Sequence, residues 1–249
     1  MRKLWIIGVA AVIFGGLFFM EFYTSLRFPI TNYVPRGLPP LSVGTEHDYD
    51  FFKDGEKVGS YVFWVEEIGD HEGQTSYFTR SLTSVVYDDT VIELETVYVF
   101  NGNLNPLEYR LNATLGEDHQ YIVCLFEGWN VNASTEMEGS RVEREMELPV
   151  DTVLIDTNML GHWDLLFKSF DLEVGKRIKF TMYVPQLLNT ASVELLVDKG
   201  TKVLTLSEID YECQVVRVSK LNLTFYLHNG DVLKLEESNQ GIEIVAAVG

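Results

Sequence analysis

Cysteine is nearly absent from this sequence: two residues in 249, Cys124 and Cys213, exclude a disulfide-built scaffold and a cysteine-based zinc site. Basic residues are scarce as well, 19 Lys and Arg against 37 Asp and Glu. A net charge of -18 with no Lys/Arg cluster removes DNA and RNA as partners. The five histidines, His47, His71, His119, His162 and His228, never form His-x-x-x-His or a His-Glu-x-x-His zinc helix. No Gly-x-Ser-x-Gly elbow, Gly-x-Gly-x-x-Gly motif or phosphate loop occurs. Acid-base chemistry needs convergent polar residues, and none is legible, so the expectation is a non-enzymatic protein that uses neither metal nor cofactor. What the chain does hold is apolar material, 46% of its residues, enough for a domain with a real core.

Arg2 and Lys3 precede an uncharged run from Leu4 to Met20 that reaches bilayer-spanning length with Glu21, Phe22 and Tyr23. Bulky residues fill the place where a signal peptidase needs small ones, which favours an uncleaved signal anchor over residues 1–23. Arg2, Lys3 and the terminal amine set against Arg27 and Arg36 lean toward a cytoplasmic N-terminus, with the rest of the chain outside the cytoplasm. The bilayer, met through residues 4–23, is then a partner, and the location is the cell inner membrane, single-pass. Residues 29–44 hold four of the seven prolines, so 24–46 reads as an extended spacer that lifts a domain of residues 47–249 off the membrane. Residues 37–249 carry 15 basic and 36 acidic residues, a balance that repels an anionic lipid surface.

From His47 the pattern is mainly β. Strand-length segments read at Tyr49–Lys53, Lys57–Glu67, Tyr77–Tyr87, Val91–Phe100, Leu104–Leu115, Tyr121–Glu127, Arg141–Leu148, Ile178–Val184, Val193–Val197, Cys213–Val218, Leu221–Leu227, Val232–Glu236 and Ile242–Val245. Asp54-Gly55 suits a tight hairpin turn. In Arg141–Leu148, Val142, Met146 and Leu148 alternate with Glu143, Glu145 and Glu147, as a half-exposed strand requires. One helix interrupts the strands. Leu160, Trp163, Phe167 and Phe170 recur at three- and four-residue spacing with Leu166 beside them; Asp156, Thr157 or Asn158 can cap its start, and Gly175 closes the region. Such a helix plugs or covers a curved antiparallel sheet or open β-barrel. Tyr98 to Leu104 parallels Tyr226 to Val232, each an aromatic strand turning through Asn-Gly, a faint internal repeat or a recurrence of favoured turn chemistry.

The stretch Tyr49 to Gly59, the helix leading into Leu172-Glu173-Val174-Gly175, and the closing Phe225 to Lys234 resemble an uncharacterised family of exported bacterial proteins, a domain of unknown function. That family's fold is similar to the open β-barrel of the lipoprotein carriers LolA and LolB. The resemblance covers most of residues 47–249 and rests on hairpin turns and glycines. It implies a curved antiparallel sheet around an apolar cavity and supplies no catalytic residues. This chain departs from a carrier in its transmembrane anchor, which prevents shuttling.

His162-Trp163-Asp164 is the one histidine with an adjacent acid on a helix, but such neighbours do not face each other, so His162 reads as a solvated helix residue. Asp48, Asp50 and Asp54 fail the calcium-loop pattern because Phe52 interrupts it; Asp88-Asp89 and the Glu136 to Glu147 cluster read as solvated acidic surface. Cys124 and Cys213 lie in strands, either paired as a disulfide or free and buried. Sequons at Asn112, Asn132 and Asn222 are acceptors if the host glycosylates exported protein, with the strand location of Asn222 arguing against its use.

Two functions remain. The first is an envelope protein binding a lipid, lipoprotein or other apolar ligand, with Leu160, Trp163, Phe167 and Phe170 as a lid. The same helix can instead fill the barrel as core. The second is a scaffold or assembly protein acting through contacts with envelope proteins. An apolar cavity of several hundred Å3 marks the first, a filled barrel with an exposed apolar patch the second. For the anchor, protease added outside intact spheroplasts is expected to digest the bulk of the chain and leave an N-terminal peptide in the membrane fraction. A soluble mature form beginning near residue 24 would contradict it.

Overall fold

The computed structural model describes residues 30–33, 37–71, 73–87, 89–156 and 159–247. The expected membrane segment lies outside these. Among the described residues no helix is long and apolar enough to cross a membrane.

The described chain is mainly β, with one α-helix against one 16-stranded sheet. The strands are β1 (Ile30–Asn32), β2 (Glu46–Lys53), β3 (Glu56–His71), β4 (Gln74–Tyr87), β5 (Thr90–Asn101), β6 (Pro106–Leu115), β7 (Asp118–Glu127), β8 (Asn130–Met137) and β9 (Ser140–Glu147). After β10 (Val153–Leu154) and helix α1 (Leu160–Lys168) come β11 (Arg177–Val184), β12 (Asn189–Leu206), β13 (Ile209–Val218), β14 (Leu223–His228), β15 (Asp231–Glu237) and β16 (Ile242–Ala246). Along the sheet the order is β1, β11 to β16 in sequence, then β2 to β9 in sequence, with β10 beside β11. All neighbours are antiparallel except β1 and β10, which lie parallel along β11. The two halves join where β16 pairs with β2, Ile244 opposite Phe51. No ladder joins β9 to β1, β10 or β11, so the curved sheet is open.

Local chemistry explains most turns. Asp54 and Gly55 both take positive φ, 50° and 85°, with Lys53 opposite Glu56, the two-residue hairpin that Asp-Gly favours. The two halves of the proposed repeat turn differently. Asn229-Gly230 makes a tight turn with both φ positive, whereas after β5 the Asn101 side chain accepts the N–H groups of Asn103 and Asn105, and Leu104 takes the positive φ.

Several sequence expectations are corrected. Residues 24–46 are not all spacer: β1 pairs with β11, Tyr33 is buried with its hydroxyl near Ser169, and Leu38 and Leu41 pack against the core. Aromatic and leucine side chains between the prolines dock this segment. Asn130–Met137 is a strand with no strong apolar signal, because only Val131 and Ala133 of its inward row are buried apolar residues, followed by Thr135 and the half-buried Met137. β9 is exposed on both rows through Arg144 rather than half-buried, with Val142 55% exposed, and β12 runs far beyond Val193–Val197.

α1 sits inside the curve, and its residues from Leu160 to Phe167 are all buried. A helix buried on every side is a core helix, here with His162 and Asp164 enclosed along with the apolar residues. Trp163 stacks near Phe225, ring centroids 5.1 Å apart, and Phe167 meets the same ring edge-on at 4.8 Å. The N-cap position is Met159 rather than Asp156, without a side-chain cap, while Thr157 and Asn158 lie outside the described residues; the Gly161 N–H donates to the Tyr61 hydroxyl of β3 at 2.9 Å. Gly161 is required there, since a Cβ would lie 2.5 Å from the Phe63 ring. Trp163→Ala is therefore expected to lower the unfolding free energy by ~3 to 5 kcal/mol in denaturant titrations, and Phe170→Ala, at the half-buried margin, by clearly less. Equal losses would contradict the placement of Trp163 at the centre.

Candidate functional site

Of the residues expected to form a ligand site, Leu160, Trp163 and Phe167 are core, at most 2% exposed. Phe170 lies apart from them, edge-on to Tyr33 at 4.9 Å and near Phe180. Trp163 Nε1 is buried without a hydrogen-bond partner, a cost the surrounding aromatic packing offsets. In this conformation the four residues fill the concave side of the sheet rather than line an opening.

Around the helix lies a polar cluster that sequence reasoning missed. His162 is buried, 4% exposed, not solvated as expected. Its Nδ1 accepts the Asp156 backbone N–H at 3.1 Å, which places the proton of the neutral ring on Nε2, and Tyr98 stacks against it at 4.6 Å. Burial pushes its pKa down to about 3. The Tyr109 hydroxyl donates a short hydrogen bond to the Asp156 carboxylate, and burial followed by that neighbouring charge holds the phenol well above its ordinary range. On the next turn Asp164 accepts the Val232 N–H at 3.0 Å and pairs with Lys168 at 2.6 Å, and Lys168 also meets Asp231 at 2.8 Å. A histidine, carboxylates and a tyrosine are thus together, but sealed: they tie α1 to β6 and to the β14–β15 hairpin. His162 and Asp164 point to different partners, as neighbours on a helix must.

The cysteines are two separate thiols. Cys124 faces inward from β7, near the Tyr183 hydroxyl at 3.7 Å, and burial pushes its pKa up to about 12. Cys213 belongs to a different cluster with Val215 and Tyr226, so a bond between them is geometrically closed. No group of three or more His, Cys, Asp or Glu able to hold a metal occurs among the described residues. Asn112 and Asn132 are exposed on strands, and Asn222 sits not in a strand but in a turn with φ of 54°.

The open concavity lies on the other face of the sheet. Tyr121, Val123 and Leu125 project outward from β7, and register continues them across β8 and β9 as three rows: Tyr121–Glu136–Arg141, Val123–Ser134–Glu143 and Leu125–Asn132–Glu145. They line a groove of about 640 Å3, in which Tyr121 is 44% and Leu125 50% exposed. A smaller hollow of about 330 Å3, near Asn112, His119 and Glu138, shares Tyr121 and Glu136 with it. The arrangement offers an apolar column, carboxylates and small amides, chemistry suited to recognition. Neither the alternation in β9 nor the Glu run pointed to it, because the signal depends on β8 lying between.

His162 generates a pH prediction. Its folded pKa is depressed below the unfolded value, so its contribution is complete above about pH 6.5 and is lost as pH falls toward the folded value. Between pH 6.5 and 5, above the carboxylate range, the unfolding free energy is expected to drop by about 2 kcal/mol from this group, and His162→Asn to flatten that slope. An unchanged slope in the variant would contradict the burial.

No protein-family profile and no curated protein matches this chain. Among solved structures it is similar to a beta-barrel-like protein of a domain of unknown function, DUF1849, from Brucella abortus, with a TM-score of 0.43, 11% identity, and coverage of 81% of this chain and 93% of that one. It is similar also to a DUF1089 family protein from Pseudomonas aeruginosa, with a TM-score of 0.35, 8% identity, and coverage of 69% and 87%. A third is a protein with a YmcC-like fold, described as exported, from Bacteroides fragilis, with a TM-score of 0.32, 6% identity, and coverage of 84% and 97%. All three are described by fold, family or export rather than by an activity.

Proposed function

We propose that this chain is a membrane-anchored, extracytoplasmic, non-enzymatic protein that works through protein–protein contacts on the outer face and open edge of its curved sheet. One observation carries the reading: α1 occupies the concave side with Leu160, Trp163 and Phe167 buried, while the groove of about 640 Å3 lies outside. A lipid carrier needs its opening on the concave side. To provide one, α1 must leave, breaking the Tyr61–Gly161 hydrogen bond and the Asp164 bonds to Val232 and Lys168. The sealed His162, Asp156 and Tyr109 cluster supports a structural role over catalysis, since catalytic groups must reach substrate. The anchor and its orientation rest on the apolar run and flanking charges at the N-terminus.

Uptake of a fluorescent fatty acid separates this reading from ligand binding. The full chain is expected to show no saturable uptake, whereas Trp163→Ala, which opens a cavity beside Phe225, gains binding of small aromatic probes. Saturable, micromolar binding by the unmodified protein would restore the apolar-ligand function.

A further inference from the structure

The sheet ends differently on its two sides. At one end the border is formed by β1 and β10, three and two residues long, too short to template another strand. At the other it is β9, eight residues with β8 on one side and, among the described residues, no strand on the other. An unpaired strand presents a row of N–H and C=O groups, and proteins guard such rows or use them.

The charges on β9 select what can pair there. Arg141, Glu143, Glu145 and Glu147 share the outer row, and Val142 and Met146 belong to the alternate one. Arg141 pairs with Glu143 at 2.8 Å, which leaves Glu145, Glu147 and neighbouring Glu136 without an ion-pair partner among the described residues. A strand added beside β9 places its side chains about 5 Å from these rows, so it is favoured when Lys or Arg alternates with apolar residues. A second copy is less favoured than a basic strand: antiparallel β9 edges centred on Arg144 set Glu143 against Glu145 twice and Arg144 against itself, offset in part by two Arg141–Glu147 pairs.

The bordering seam is also incompletely satisfied. Arg144 crosses it to the Leu188 carbonyl at 2.8 Å. In the adjoining turn Pro185–Leu187, both amide atoms of Gln186 are buried without hydrogen-bond partners among the described residues, as is the Thr135 hydroxyl of β8, whose register partner is Val142. Such orphans call for a partner group or a reason to persist. The outer groove then continues the surface: beyond the acidic row, Tyr121 and Leu125 offer apolar contact to whatever part of a partner flanks the added strand.

We propose that β9 is a docking edge for an extended segment of another protein, one in which basic and apolar residues alternate, joining the sheet as a further strand beside Glu143, Glu145 and Glu147. This rests on the protein-contact reading and names the chemistry of the partner.

The test uses the full chain in detergent and a labelled peptide of alternating Lys and Val, read by fluorescence anisotropy at about 50 mM salt, where surface attraction is little screened. Saturable binding is expected, with the Glu-for-Lys peptide failing to bind. The exposed double variant Glu143→Lys/Glu145→Lys should weaken the Lys peptide by about tenfold or more and admit the Glu peptide, since reversing both partners restores complementarity. A Lys peptide N-methylated at alternate residues keeps its charge but loses the N–H groups, so it should not bind. Absence of binding by the Lys peptide overturns the proposal. So does equal binding of the N-methylated peptide, which makes the contact only electrostatic, or self-association of the unmodified protein abolished by the double variant, which assigns β9 to a second copy. Failure of the wider reading has a separate sign, saturable uptake of a fatty acid by the unmodified chain.

Discussion

A nine-residue helix cannot hold itself together in water, because the few hydrogen bonds it closes do not offset the entropy of its nucleus. The fold depends on how α1 is supported instead. The sheet supplies the Tyr61 hydroxyl to its first turn, the Val232 N–H to Asp164, and Phe225 to Trp163 and Phe167. Each contact comes from a different part of the sheet, β3, β15 and β14, so the helix fixes the curvature and the curvature sustains the helix. The sealed polar cluster follows from the same constraint. Where backbone and charge are enclosed, hydrogen bonds must be complete, and His162, Asp156 and Tyr109 complete theirs largely with one another.

Much of the fold was legible because its determinants are local. Alternating β-branched and aromatic residues gave the strands on either side of Asp54-Gly55, and spacing gave α1 with Leu160, Trp163 and Phe167 on one stripe. What escaped was set by partners distant in sequence. Ala133 is a poor strand residue until it packs opposite Cys124 and Arg144 in register. Tyr33 lies among prolines in a segment that composition marks as spacer, and only contacts with distant residues, Phe170 and Ser169, show that it docks. His162 is polar on a helix and looks solvated until the sheet closes over it with Tyr98 and Tyr109. The outer groove was illegible for the related reason that it is a product of register across three strands.

The acidic surface plays a different role from the acidic interior. Inside, Asp164 is matched by Lys168 and a backbone donor, an arrangement that fixes orientation more than it adds stability. Outside, exposed pairs such as Arg141 with Glu143 are worth little individually. Their excess of one sign opposes the approach of like-charged surfaces and favours that of basic ones.

The junction between β16 and β2 joins the last strand to the first long one in a single ladder. β2 can pair with β3 as soon as that hairpin forms, but its other edge lacks a neighbour until β16, among the last described residues, has followed. Pairing Val245 with Asp50 spans nearly the whole domain, a loop closure that local hairpins cannot replace. The hairpins from β2 to β9 can form in order, but the two halves of the sheet cannot become continuous until β16 is present. Its continuous sheet is therefore a late event, one that follows the local hairpins on either side of the junction.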